Sequence, residues 1–212
     1  MKVNVAVESA PKKVFVTAVD WPGWSRGGKT EEFAIESLLD HADRYAAVAR
    51  RAGETFAAGA DIELEVVDRT EGGAGTEFGV PGNVSEPDRR PTTSADAERL
   101  ARLVRASWDT LAETSAAAPE ALRKGPRGGG RDTSKVVAHV EESDLGYARE
   151  MGIKLKAPLE EVRSAMLDVL RQPSDGSPLA GRRWTARYAA HRVAWHALDH
   201  AWEIEDRTDP AG

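Results

Sequence analysis

Three of the five histidines in this 212-residue chain stand where they could share one metal ion. His196 and His200 are four residues apart in Ala194-Trp-His-Ala-Leu-Asp-His-Ala-Trp-Glu. On a helix they lie one above the other on a single face, where their imidazole nitrogens can converge. His139, in Ser134-Lys-Val-Val-Ala-His-Val-Glu-Glu, would supply a third ligand from a second helix. Ala189, Val193, His196, His200 and Glu203 follow three- and four-residue steps, so the pair sits on a stripe facing a helical core. Buried imidazoles without partners cost roughly 1–3 kcal/mol each, and a shared metal satisfies both. The competing reading is a set of core or rim histidines hydrogen-bonded to carboxylates such as Glu142 or Glu203. Glu203 and Asp199 are candidate proton-transfer groups; each could instead orient a liganding imidazole or be a solvated helix charge. His196-Ala-Leu-Asp-His200 lacks the glutamate of the His-Glu-x-x-His metalloprotease pattern, which disfavours peptide hydrolysis by that route. His191 falls on a different face and is read as exposed or structural. His41, after Asp40 on the polar side of its helix, is read as solvated.

The elements that must position these residues divide in two. Residues 1–70 read as an α+β module. Residues 3–7 and 14–19 are short β-branched strands joined through Ser9-Ala-Pro-Lys-Lys, and Trp21-Pro-Gly-Trp-Ser-Arg-Gly-Gly is a turn. From Lys29 the period changes to a single helical stripe, Phe33, Ile35, Leu38, Leu39, Ala42, Tyr45, Ala46 and Ala49, with Glu31 and Glu32 in its first turn. Ile62-Glu-Leu-Glu-Val-Val alternates as a further strand. Residues 71–93, rich in Gly, Pro and charge, read as an inter-domain linker or long surface loop. A chain cut there is expected to leave a separately folded helical part that keeps its metal.

Residues 94–212 read as an all-α four-helix bundle. Ser94 is a candidate N-cap for a helix carrying Leu100, Leu103, Val104, Trp108 and Leu111. A second helix starts near Thr133 or Ser134 and carries His139 in its second turn. A third starts at Pro158, and a fourth is capped by Thr185 and runs to about Glu205.

Composition limits the setting. The chain is acidic, with formal charge −6 and a sequence pI near 5.5, which argues against a general nucleic-acid partner. No apolar run approaches the length that spans a bilayer, the N-terminal Met1-Lys-Val-Asn-Val-Ala-Val reads as a strand and not as a signal peptide, and a cytoplasmic location is expected. Cysteine is absent, so disulfides, thiolate metal sites and a cysteine nucleophile are excluded.

The histidine pattern has a family likeness. Residues 94–206, with His139 in Val-Val-Ala-His-Val-Glu-Glu and the His-x-x-x-His of His196 and His200, resemble the DinB-like superfamily of metal-binding four-helix bundles, to which mycothiol- and bacillithiol-dependent enzymes belong. The resemblance implies that these three histidines hold a divalent metal, zinc or nickel, with open positions for water or a thiolate. It also implies thiol-dependent transferase or isomerase chemistry on an electrophilic substrate. The family bundle usually has a long crossover between helices two and three. Here only residues 151–157 intervene, about 25 Å at full extension, so shorter helices or a locally different topology are expected. Residues 1–68 resemble the HicB-type antitoxin fold through Val-Asp-Trp-Pro-Gly-Trp followed by Lys-Thr-Glu-Glu-Phe-Ala. That likeness implies an interaction or substrate-shaping module, and its alternative for the whole chain is a non-catalytic partner-binding protein with a structural metal. A homodimer is left open.

With no cysteine of its own, a three-histidine centre would take an external thiol such as mycothiol into its unfilled position. Arg123, Lys124, Arg127 and Arg131 precede the helix that carries His139. Arg127 and Arg131 are the candidates to steer the anionic groups of that thiol, against the alternative that the loop is a solvated linker.

Overall fold

A computed structural model describes residues 1–57, 61–125 and 130–208. The chain is mixed α/β. It opens with strands β1 (Lys2–Ala10), β2 (Lys13–Ala18) and β3 (Ser25–Gly28), continues with helices α1 (Glu31–Asp40) and α2 (Ala42–Arg51), and returns in β4 (Glu63–Glu71). After a short α3 (Ala74–Phe78) come α4 (Ser94–Ala117), α5 (Thr133–Glu150), α6 (Leu159–Leu170) and α7 (Ala186–Arg207). The sheet order is β3-β2-β1-β4, antiparallel except that β1 and β4 run parallel. Among the described residues no helix is long and apolar enough to cross a membrane.

Two local expectations change. Ser25-Arg-Gly-Gly has no β-branched residue, yet it forms β3 because β2 offers a free edge, pairing Thr17 with Ser25 through Val14 with Gly28. Long-range pairing here overrides weak β propensity. The single helix expected after Lys29 is two helices broken at His41, each burying its own set: Ala34 and Leu38 in α1; Ala42, Tyr45, Ala46, Val48 and Ala49 in α2. Phe33 and Leu39 of the expected stripe are exposed. Thr30 caps α1 by accepting the Phe33 N–H, so the Thr-Glu-Glu start is as read.

Residues 71–93, read from the sequence as an inter-domain linker or a long surface loop, are held against the fold at several points. Glu8, itself buried, accepts from the Thr76 hydroxyl and from the N–H groups of Gly82 and Asn83. Pro87, Asp88 and Thr92 are buried, and Thr92 bridges to Ser174. The segment therefore lies on the fold as a strap, and its backbone polar groups find partners there.

The two halves also share a core. Val3, Val5, Val7, Trp24, Leu38 and Tyr45 of the N-terminal unit cluster with Leu103 and Ala106 of α4 and Leu198 and Trp202 of α7. The Trp-Pro-Gly-Trp turn seats against α7: Gly23 has φ +92°, and a Cβ there would stand 2.7 Å from Leu198 Cδ1. Glycine meets both the left-handed backbone and the close approach. Trp24 is fully buried, stacked on Tyr45, with its indole N–H donated to the Leu38 carbonyl.

Helices α4 to α7 pack on one another around a second core drawn from all four, including Leu100, Val104, Val136, Val140, Val162, Met166, Ala189 and Val193. Most residues of α7 are buried, and its alanines at 189, 190, 194, 197 and 201 let neighbours approach closely. A helix buried on most of its circumference belongs at the centre of a fold. Helix α6 is short and turns back along α5: Asp144, six residues before the end of α5, meets Arg163, four residues into α6. The connection is thus a direct return.

That contact is a buried ion pair. Asp144 is fully buried, and its Oδ2 accepts from Arg163 Nε at 2.9 Å and Nη2 at 2.7 Å. Burial pushes the Asp144 carboxyl up from 3.8 to about 6, with the Arg163 charge opposing. A raised carboxylate value means that its stability contribution is complete below the unfolded value and is lost as pH rises through the folded one. Arg163→Ala is therefore expected to cost about 3–5 kcal/mol near pH 8, where an ionised Asp144 is left without its counter-charge. The loss should be distinctly smaller near pH 5. Urea unfolding at the two pH values reads the difference, and equal losses would contradict a titrating Asp144.

Candidate metal centre

Helix α5 is fixed at its start. The Thr133 hydroxyl donates to the Pro119 carbonyl at 2.6 Å, the Thr133 N–H to the Glu120 carbonyl at 3.0 Å, and the Ser134 hydroxyl to Glu120 at 2.5 Å. Val136 and Val140 then face the core, which leaves His139 half-buried at the rim of the interface with α7. Helix α7 starts at Thr185, whose side chain accepts the Tyr188 N–H, as the sequence reading required.

These two helices bring His139, His196 and His200 together. Ring centroids lie 5.1 Å apart for His139 and His196, 5.1 Å for His139 and His200, and 4.8 Å for His196 and His200. One nitrogen from each ring lies within 4.8 Å of the others. A tetrahedral zinc held at normal Zn–N lengths needs nitrogens about 3.3 Å apart, so small side-chain rotations would close the set.

The residues fit a metal by three separate tests. His196 is buried and its Nδ1 has no hydrogen-bond partner. Burial, reinforced by the His200, Arg192, His139 and Arg131 charges, lowers His196 to about 2. His139 is lowered by burial first and then by Arg131 and His200, so both rings are neutral at neutral pH, the form a metal requires. Third, His200 is already oriented: its Nδ1 lies 2.8 Å from Glu203 Oε2, which places the proton on Nδ1 and leaves Nε2 for coordination.

Glu203 is itself held. Its Oε1 accepts from Arg207 Nη1 at 2.8 Å, and Arg207 Nε donates to the Arg123 carbonyl at 2.7 Å. The His200 hydrogen bond, with help from Arg207, keeps the Glu203 carboxyl below its usual range. Both Glu203 oxygens are thus engaged, which favours the orienting alternative named from the sequence over proton transfer. Glu203→Gln is expected to weaken metal binding about 10- to 100-fold in a competition titration against a chromophoric chelator. Unchanged affinity would remove the orienting role.

Asp199, the other acidic candidate, accepts from Arg26 Nη1 at 2.8 Å. Beside it a cleft of about 560 Å³ is lined by Arg26, Arg123, Lys124, Glu203 and Arg207. The described ends of the 123–131 loop touch α7 while staying largely exposed: Arg123 N–H donates to the Arg207 carbonyl, and a Cβ on Gly130 would meet Arg207 Nη2 at 2.3 Å. Arg131 is exposed, and its charge reaches His139 and His196. Arg127 lies outside the described residues.

The other histidines depart from their sequence readings. His191 is buried, its Nε2 against the Val19 carbonyl at 3.0 Å, so the exposed reading fails and the structural one holds. His41 is not solvated: it is partly buried, bonded through Nδ1 to the Ser37 carbonyl and packed 5.1 Å from Trp202.

Sequence reasoning missed three residues around the centre and the cleft beside it. Tyr147 lies 5.6 Å from His196 and Arg192 stacks on Tyr147; both sit at helical steps from liganding positions and were legible. Arg26 arrives from β3, and no local pattern could have placed it. No family model, curated protein or solved structure matches this chain.

Proposed function

We propose that this protein is a divalent-metal enzyme that uses an external low-molecular-weight thiol as a nucleophile, as a transferase or isomerase acting on an electrophilic substrate. One observation carries the reading: three imidazoles from two helices converge, and among the described residues no carboxylate or other ligand joins the group. A structural centre is closed by four protein ligands, whereas a reactive one keeps a position open. The chain has no cysteine with which to close it.

A bound zinc or nickel ion would supply positive charge that favours the ionised form of a thiol or water. The rest falls to the protein. Burial keeps His196 and His139 unprotonated, Glu203 holds the Nδ1 proton of His200, and the Tyr147 and Trp195 rings beside His196 limit water. Arg131 contributes positive potential for an anionic thiol.

The mutual packing of α4 to α7, with His139 early in α5 and the pair on α7, supports a DinB-like four-helix assignment; the direct α5 to α6 return is this chain's departure from that pattern. The strand, Pro-Gly turn and Thr30-capped helix support a HicB-like N-terminal unit. Phe15 of β2 packs edge-on against Trp195, beside His196, so we assign that unit a substrate-shaping role.

Calorimetric titration of zinc-loaded protein with mycothiol tests the reading. Binding is expected to the zinc form, and not to apo protein or by S-methylated mycothiol. Equal binding with and without metal would overturn it.

A further inference from the structure

The cleft beside the histidine centre, about 560 Å³, is within the range of small-molecule sites. Four cations line it, Arg26, Arg123, Lys124 and Arg207, against the carboxylates of Asp199, Glu203 and Asp206. In a chain of formal charge −6, this local surplus of one positive charge reverses the overall balance. The carboxylates are also already committed. Asp199 is paired with Arg26, Glu203 with His200 and Arg207, and Asp206 with Arg44, which stands outside the lining. A ligand that completes the cleft therefore brings negative charge with it.

Arg26 is the fixed point. It stands in β3 opposite Val16 of β2, and the end of that strand lies tight on α1, since a Cβ on Gly28 would meet the Ala34 nitrogen at 2.4 Å. Its side chain is 20% exposed and its guanidinium lies 5.5 Å from the Trp202 ring centroid. Only Nη1 is spent, on Asp199. Nη2 makes no hydrogen bond among the described residues, and Nε is a buried orphan. A guanidinium held over an aromatic ring keeps its planar fork in one orientation, so little freedom is lost when it binds an anion. Lys124 lines the same cleft from the other half of the chain, exposed and without an ion pair among the described residues. A rigid fork with unspent donors, a second cation and one uncompensated charge suit a carboxylate, which is planar and singly charged, better than a phosphate dianion.

We propose that the electrophilic substrate of this protein is an organic carboxylate whose carboxylate group is held in this cleft by Arg26 and Lys124. Glu203 belongs both to the cleft wall and to His200, and Asp199, which holds Arg26, is the residue before His200. An anion in the cleft thus lies next to the histidine centre and not on it. Its role as substrate rests on the metal and thiol reading; its binding does not. The N-terminal unit gains a definite part, because Arg26 comes from β3 while the rest of the lining comes from the helical half.

The test is an NMR titration of metal-free and zinc-loaded protein at constant ionic strength, read at the Arg26 Nε–H, a resonance identified by its disappearance in Arg26→Lys. Butyrate, an unreactive monocarboxylate, is expected to shift it with millimolar affinity in both forms. Butanamide, the neutral isostere, should bind at least about tenfold more weakly, and inorganic phosphate no more tightly than butyrate. Lys124→Gln, at an exposed position that leaves the core untouched, should weaken butyrate about threefold or more. No response to butyrate, or an equal response to butanamide, would overturn the proposal. So would a response confined to the zinc form, the carboxylate then being a metal ligand, or tighter binding of phosphate. Failure of zinc to bind would instead overturn the metal reading, while the metal-free arm still decides the cleft.

Discussion

His200→Ala is expected to lower divalent-metal affinity by an order of magnitude or more, whereas His191→Ala leaves it unchanged. The two residues share a helix and are both shielded from solvent, so general damage to α7 would affect them alike. Their partners differ. His200 sits 4.8 Å from His196 and is aimed by Glu203, while His191 is spent on the Val19 carbonyl on another face. Losing one of three ligands removes a full coordinate bond, and the surviving imidazoles cannot replace it from their places on α5 and α7. Equilibrium dialysis with zinc on both variants checks the contrast, and equal losses would contradict the assignment.

Deletion of residues 1–90 is expected to abolish cooperative folding of the remainder. The deletion uncovers Leu103, Leu198 and Trp202, now at most 1% exposed, and strips the sheet from Trp195. Each large side chain returned to water forfeits about 1.5–3 kcal/mol. Three or four of them equal much of the 5–15 kcal/mol that typically holds a domain together. The fragment 91–212 should retain helical circular dichroism, lack a sharp thermal transition and hold metal at least about tenfold more weakly, since α7 then loses the packing that orients it. A sharp transition with full metal affinity would restore the view of 71–93 as a linker.

How much of this was readable in the sequence follows from the range of each signal. The His196 and His200 pairing depends only on helical periodicity, and the helix starts at Thr133, Pro158 and Thr185 depend on residues within one turn, so these were legible. The meeting of His139 with that pair was an inference across two helices, and it depended on both burying their apolar stripes against each other. The failures are all tertiary. Ser25-Arg-Gly-Gly becomes a strand only because β2 has an open edge. The strap looked like a linker because Gly, Pro and charge are abundant there, while its anchors, Glu8 and Ser174, lie far off in sequence. His191 could be read only as exposed or structural because the Val19 carbonyl that holds it lies far off in sequence, and His41 looked solvated because Trp202, which covers it, comes from α7.

The most direct measurement of the central claim is the visible spectrum of cobalt-substituted protein before and after addition of mycothiol. Three imidazoles and an open position should give the intense ligand-field bands of low-coordinate cobalt, absent in the His139→Ala, His196→Ala and His200→Ala variants. Saturating thiol should add a sulfur-to-metal charge-transfer band, which in a chain without cysteine can come only from the added thiol. An unchanged spectrum at saturating thiol, with His139→Ala indistinguishable from wild type, would contradict both the centre and its use.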